Sequence, residues 1–262
     1  MDSVILTEQK RHVRIISLNR PKFLNAINGS LVKCLTEELR AANNDDTVKV
    51  IVLNGTGKAF CSGDDIQGTL QSIEDQTDSS IVNVDREQYA NNLQDVTREI
   101  IFGNKFVIGA IHGWAVGAGF EWAINCDFSI WTESAKAFFP EMKWGMFPTG
   151  GITSLLPHMV GLIKARELLL LGEKQTARQL LEMGLCWKVV ADNTLMETTI
   201  DMANIIADLP EDSVQGLKKT INKTCFNSFE NTLNMEVNQL LSAINNPRTA
   251  ERLRGFKQNP QS

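Results

Sequence analysis

The stretch that decides the fold is IHGWAVGAGFEWAINCD at positions 111–127, the centre of a longer segment running from Phe106 to Pro157. A β-branched run from Val107 to Ile111 feeds a glycine-rich bend, and from Phe120 onward the residues are good helix formers. A helix opening at such a bend leaves its first N–H groups unpaired, with the positive end of its dipole behind them. That arrangement suits a developing negative charge. Glu121 falls one turn into this helix. A second carboxylate, Glu141, follows in FPEMKWGMFP at 139–148, again near a Gly/Pro bend. An oxyanion site flanked by two carboxylates points to enolate chemistry.

Upstream, Val4 to Leu6 and Val13 to Leu18 read as two strands around a polar turn at Gln9-Lys10-Arg11, a hairpin. Asn28 is placed to cap a helix with Leu31, Leu35 and Leu39 on one face. Val48 to Leu53 is apolar apart from Lys49, the pattern of a parallel strand buried on both faces. Leu70 to Gln88 is polar and aperiodic and merges into a helix from about Asp85 to Phe102, suited to a lid or pocket wall. Downstream come a strand at Phe128 to Trp131 and a helix entered through Pro148-Thr149-Gly150-Gly151. Two more helices, Gly161 to Leu171 and Thr176 to Met183, precede a short strand, Trp187 to Val190. After Asp192 the pattern is helical only: Leu195 to Leu209, Ser213 to Thr224, Ser228 to Ile244 and Arg248 to Phe256. Alternation followed by helices predicts an α/β fold with a largely parallel sheet, divided into a core at 1–191 and a helical region at 192–262.

The 262 residues are 43% hydrophobic, enough to fill a real core, and the net charge of −5 is spread without a basic block. Neither nucleic acid nor an anionic membrane is an expected partner. No apolar run reaches membrane-spanning length, and the first residues lack the basic and apolar halves of a leader. The five cysteines form an odd set with no CxxC, so no disulfide frame and no metal site is expected, and a reducing cytoplasm fits best.

Two glycine bends, Cys61-Ser62-Gly63 and Gly117-Ala118-Gly119, are each able to supply a backbone N–H to one oxygen; either alone also reads as a plain turn. The second lacks the third glycine of a dinucleotide fingerprint. Glu121 and Glu141 equally fit a dipole-favoured helix start and a solvated bend. Ser62 and His112 do not make a nucleophilic triad, because no G-x-S-x-G elbow surrounds the serine. His12 and His158 read as structural, and Trp114, Trp122, Trp131 and Trp144 read first as core.

Taken together, NRPKFLNAI at 19–27, AFCSGDDI at 59–66 and the G-x-x-x-G-x-G-x-E run from Gly113 to Glu121 with Cys126-Asp127 resemble the crotonase (enoyl-CoA hydratase/isomerase) superfamily. Ala165 to Gly172, Ala177 to Leu185 and Val189-Val190 are similar to its helical linker. The resemblance implies a crotonase-like spiral of ββα units with a helical C-terminal region used in trimerisation. It implies that the backbone N–H groups of Ser62 and Ala118 form an oxyanion hole for a thioester carbonyl. Glu121 and Glu141 fall where the hydratase branch carries its catalytic glutamates. Lys22, Ala26 and the Asp64-Asp65-Ile66 backbone would line the coenzyme A groove. Phe256 and Lys257 would close over it, with coenzyme A as part of the substrate and no separate cofactor.

The chain departs from the family pattern where Ser62 and Asp64 replace small residues and Ala118 replaces a common glycine. Bulky residues also follow the second glutamate, so Trp114, Trp144 and Phe147 are expected to shape the acyl pocket. The activity expected is syn hydration of a 2-enoyl-CoA by a self-associating trimer or hexamer. An enoyl-CoA isomerase and an aromatic acyl-CoA hydratase-lyase are the enzymatic alternatives, and a non-catalytic binding module is the other.

Overall fold

The computed structural model describes residues 3–66, 68, 79–225 and 228–258. The opening hairpin forms as its pattern demands. Strands β1 (Ile5–Lys10) and β2 (Val13–Leu18) pair antiparallel with Lys10 opposite Val13, and Arg11 turns the chain at φ 53°. There follow β3 (Val50–Gly55), β4 (Phe106–Ile111), β5 (Trp114–Val116), β6 (Phe128–Thr132), β7 (Lys136–Phe138), β8 (Gln175–Thr176) and β9 (Lys188–Val190). The large sheet runs β1-β2-β3-β4-β6-β9 and is parallel at every pair beyond the hairpin.

The helices of the described residues are α1 (Gly29–Asn43), α2 (Ser79–Ile101), α3 (Ala118–Asn125), α4 (Glu141–Trp144), α5 (Ile152–Val160) and α6 (Leu162–Leu171). They continue with α7 (Ala177–Glu182), α8 (Leu195–Ala207), α9 (Glu211–Cys225), α10 (Phe229–Ile244) and α11 (Pro247–Gln258). Asn28 caps α1 as expected, its Oδ1 accepting from Leu31 N at 2.9 Å. Of the expected polar segment at 70–88, residues 70–78 lie outside the described residues, and α2 is already helical from Ser79.

The run from Val50 to Leu53 is fully buried because its alternating side chains serve two cores. Ile51 and Leu53 join Leu31, Leu35 and Leu39 of α1 on one face. Val50 and Val52 meet Leu195, Ala203 and Ala207 of α8 on the other. Residues 192–262 are therefore not a region set apart from the sheet: α8 supplies the cover of its second face.

The sequence pattern missed a second sheet of order β5-β7-β8, whose strands of two and three residues are too short to show a period. Parallel bridges from Cys61 to Ala115 and from Ile27 to Asp64 extend it. After β4 and again after β6, the chain places a short strand in the small sheet and then a helix, so ββα turns stack into a spiral. The small sheet thus brings residues 24–27, 61–64 and 114–118 side by side.

Candidate active site

Gly117 stands at φ 53°, a conformation that favours glycine, and starts α3. The amides of Phe120 and Glu121 both donate to the Gly117 carbonyl, at 2.8 and 2.9 Å. Those of Ala118 and Gly119 have no backbone acceptor among the described residues. Gly119 lets the helix start press against the 61–64 bend, since a Cβ there would stand 2.6 Å from Cys61 Cβ.

The 61–64 bend corrects one sequence expectation. Ser62 N–H is not free: it donates to the Leu24 carbonyl at 3.0 Å, as a rung of the small sheet. The Gly63 carbonyl accepts from Ile27 N at 2.8 Å, and Asp65 N donates to the Ile27 carbonyl at 2.8 Å. In a trans peptide the N–H points opposite to the preceding C=O, so Asp64 N–H faces away from Ile27. A Cβ on Gly63 would stand 2.7 Å from Val116 O and 3.8 Å from Gly117 Cα. The Asp64 amide has no backbone acceptor among the described residues, and Gly63 turns the chain at φ 81° just before it.

Glu121 is buried, at 1% exposure, and Glu141 is half-buried with its Oε2 enclosed. Gly150 N–H donates to Glu121 Oε2 at 2.5 Å, while Glu121 Oε1 and Glu141 Oε2 receive no hydrogen bond from the described residues. Glu141 opens the one-turn helix α4, and a Cβ on Gly117 would lie 2.7 Å from its Oε1. Burial drives both carboxyls above the ordinary value; for Glu121 the charges of Glu141 and Glu236 add to it, and the Gly150 amide opposes. Repulsion between buried like charges makes such a pair hold a proton. The Gly150 amide favours the charge on Glu121. Glu141 likewise has one opposing amide, its own backbone N–H, and the charge of Asp64 raises both carboxyls.

A cavity of about 1260 Å³ opens onto this site. Asp64, Gly117, Ala118 and Glu141 line it, as do Ala26, Asp65, Ile66, Trp114 and Trp144 from the sequence expectations. Glu121 lies behind that wall. Trp144 is 8% exposed and packs on Leu253 of α11, and Trp114 stands edge-on to Phe138 with Lys174 Nζ 5.7 Å from its ring. Phe147 does not reach the cavity; it packs with Ala90 of α2 and Val237, Leu240 and Ile244 of α10. Lys22 is exposed and absent from the wall, where Arg20 stands instead, paired with Asp65 at 3.2 Å. The side chains of Phe256 and Lys257 lie outside the described residues. His12 bonds Thr47 O and His158 bonds Ser154 O, both structural contacts.

Two supporting residues were not singled out from sequence. Asn25, fully buried at φ 57°, donates to the carbonyls of Thr56, Ala59 and Phe60 and accepts from Arg20 N, clasping the 20–27 loop to the 56–60 segment that leads into the 61–64 bend. Glu236 of α10, 1% exposed, accepts from Gly151 N at 2.7 Å, Thr153 N at 3.0 Å and Thr153 Oγ1 at 2.6 Å. Adjacent amides, Gly150 and Gly151, therefore hold Glu121 and Glu236. Asn25 was visible as a motif letter; nothing in the letters around Glu236 marks it.

The model of the enoyl-CoA hydratase/isomerase family matches residues 8–261. The chain is 33% identical over 236 residues to 1,2-epoxyphenylacetyl-CoA isomerase of Escherichia coli, covering 90% of this chain and 88% of that protein. It is 32% identical over 226 residues to short-chain-enoyl-CoA hydratase of Clostridium acetobutylicum, covering 85% and 82%. The crystal structure of enoyl-CoA hydratase from Bacillus halodurans superposes with a TM-score of 0.88 at 25% identity, covering 97% of this chain and all of that one. Spiral, paired glutamates and these likenesses agree: the chain is an enzyme of the crotonase superfamily and belongs to its enoyl-CoA hydratase/isomerase family.

Proposed function

We propose that this chain is an enoyl-CoA hydratase, adding water reversibly across the 2,3 double bond of a 2-enoyl-CoA thioester. The observation that carries the reading is the pair of glutamates, each with an enclosed oxygen that no donor of the described residues occupies, beside the open end of α3. In this reading the amides of Asp64 and Ala118 grip the thioester oxygen and stabilise the enolate; donors so placed are worth about 3 kcal/mol each. Glu121, steadied by Gly150, takes a proton from the attacking water as it bonds to the β-carbon. Glu141 delivers its proton to the α-carbon, and the reverse reaction exchanges the roles.

A second reading, enoyl-CoA isomerisation, is favoured by one observation: Glu141 lines the cavity and Glu121 does not. A single acid that removes a proton from one carbon and returns it to another suffices for that reaction. Turnover of crotonyl-CoA and of a 3-enoyl-CoA by the wild type, Glu121→Gln and Glu141→Gln, with products weighed, separates the two. The hydratase reading expects a product heavier by one water and a loss of about 10² to 10⁴ in rate for both variants. Isomer formation that survives Glu121→Gln and needs Glu141 would establish the second reading instead.

A further inference from the structure

The wall that carries the Asp64 amide also carries its carboxyl group, and nothing in the hydration chemistry above uses it. Asp64 lines the cavity together with Glu141. Its Oδ1 accepts from the hydroxyl of Tyr89 at 3.1 Å, the only tyrosine in the chain, reaching across from α2. Oδ2 receives no hydrogen bond from the described residues. The neighbouring Asp65 is spoken for by Arg20 at 3.2 Å, whereas no cation pairs with Asp64 among the described residues. The small side chain usual in this motif is thus replaced by a polar one that α2 holds in place.

An oxygen held by Asp64 N–H lies within a few bond lengths of the same residue's carboxyl. The carbons following a bound thioester carbonyl must therefore pass close to it. At Asp64 the wall offers an acceptor and no donor: the carboxylate oxygen that Tyr89 leaves free. Its complement is a hydrogen-bond donor without negative charge. We propose that Asp64, anchored by Tyr89, is a specificity-determining residue that selects an acyl group bearing a hydroxyl on the carbons near the thioester and rejects one ending in a carboxylate. Burial pushes the Asp64 carboxyl up to about 6, so above neutrality it is the charged acceptor this requires.

The inference rests on the cavity being an acyl-CoA site, and its test reads binding rather than turnover. Calorimetry of the full chain at about pH 8, above the raised Asp64 value, would compare butyryl-CoA, 4-hydroxybutyryl-CoA and succinyl-CoA. The wild type is expected to bind the hydroxylated thioester about tenfold tighter than butyryl-CoA, and succinyl-CoA about tenfold weaker. In Asp64→Ala the three affinities should fall within about twofold of one another. Asp64→Asn, nearly isosteric, keeps an acceptor and removes the charge, so it should retain the hydroxyl preference and lose the penalty on succinyl-CoA. Equal affinities in the wild type, or unchanged preferences in both variants, would overturn the proposal. If the wild type bound no thioester at all, the acyl-CoA reading itself would fall, and this inference with it.

Discussion

At the scale of single residues, the site is governed by which polar groups are already committed and which are not. Ser62 and Asp64 stand two positions apart in one bend, and the letters give no reason to prefer either amide. The choice is made by Leu24 and Ile27, whose backbones take up the Ser62 amide and the Gly63 carbonyl and so turn Asp64 N–H the other way. A long-range pairing of this kind has no local signal, whereas Glu121, Glu141 and Ala118 were legible because a glycine bend and a helix start fix them locally. Gly150 offers a sharp test. A Cβ there would overlap Glu121 Oε2 and come within 3.1 Å of Glu121 Cβ. Gly150→Ala is expected to leave the chain folded by circular dichroism and to lower kcat about 10²-fold, since displacement of a reacting group by about 1 Å is enough for that loss.

At the scale of elements, the helix that matters most outside the spiral is α10. Its hydrophobic face was readable from periodicity, and its Leu233, Val237, Leu240 and Ile244 are buried as that face requires. The carboxylate at Glu236 follows the same face inward, and helical periodicity gives no warning of a buried acid. Truncating it in Glu236→Ala leaves the Gly151 and Thr153 amides without acceptors, a cost of about 3 kcal/mol in unfolding free energy by urea titration. The same change loosens the glycine pair that holds Glu121, so kcat should fall while KM for the thioester stays near the wild-type value. The small sheet illustrates the opposite limit. Its strands were invisible to pattern, yet their neighbours Asn25 and Gly63 were visible as motif letters because their backbones, at φ 57° and 81°, need those side chains.

At the scale of the whole molecule, the sheet was legible from the alternation of apolar strands and helices, and the boundary at 191 was not, because α8 belongs to the sheet's second core. Among the described residues no helix is long and apolar enough to cross a membrane. The buried acids give the fold a pH signature of definite sign. Burial raises Glu236 from an ordinary 4.5 to about 7 and Asp64 from 3.8 to about 6, and it raises Glu121 and Glu141 as well. The folded chain therefore keeps protons that the unfolded chain releases. The resulting stability is present below the ordinary values and is lost as pH rises through the folded ones. Glu236 alone corresponds to about 3 kcal/mol at about 1.4 kcal/mol per unit. Urea midpoints are expected to fall from about pH 5 to about pH 8, and the slope to flatten in Glu236→Gln. A midpoint that held level or rose over that interval would show that these acids are not shifted upward.

In the proposed reaction, two glutamates and two amides add water to a thioester-activated double bond. Incubating the wild type with a panel of 2-enoyl-CoA thioesters and weighing the products tests it most directly. At least one thioester is expected to gain a single water, and Glu141→Gln is expected to abolish the gain. Products in which the double bond has moved and no water has been added, across the whole panel, would contradict it.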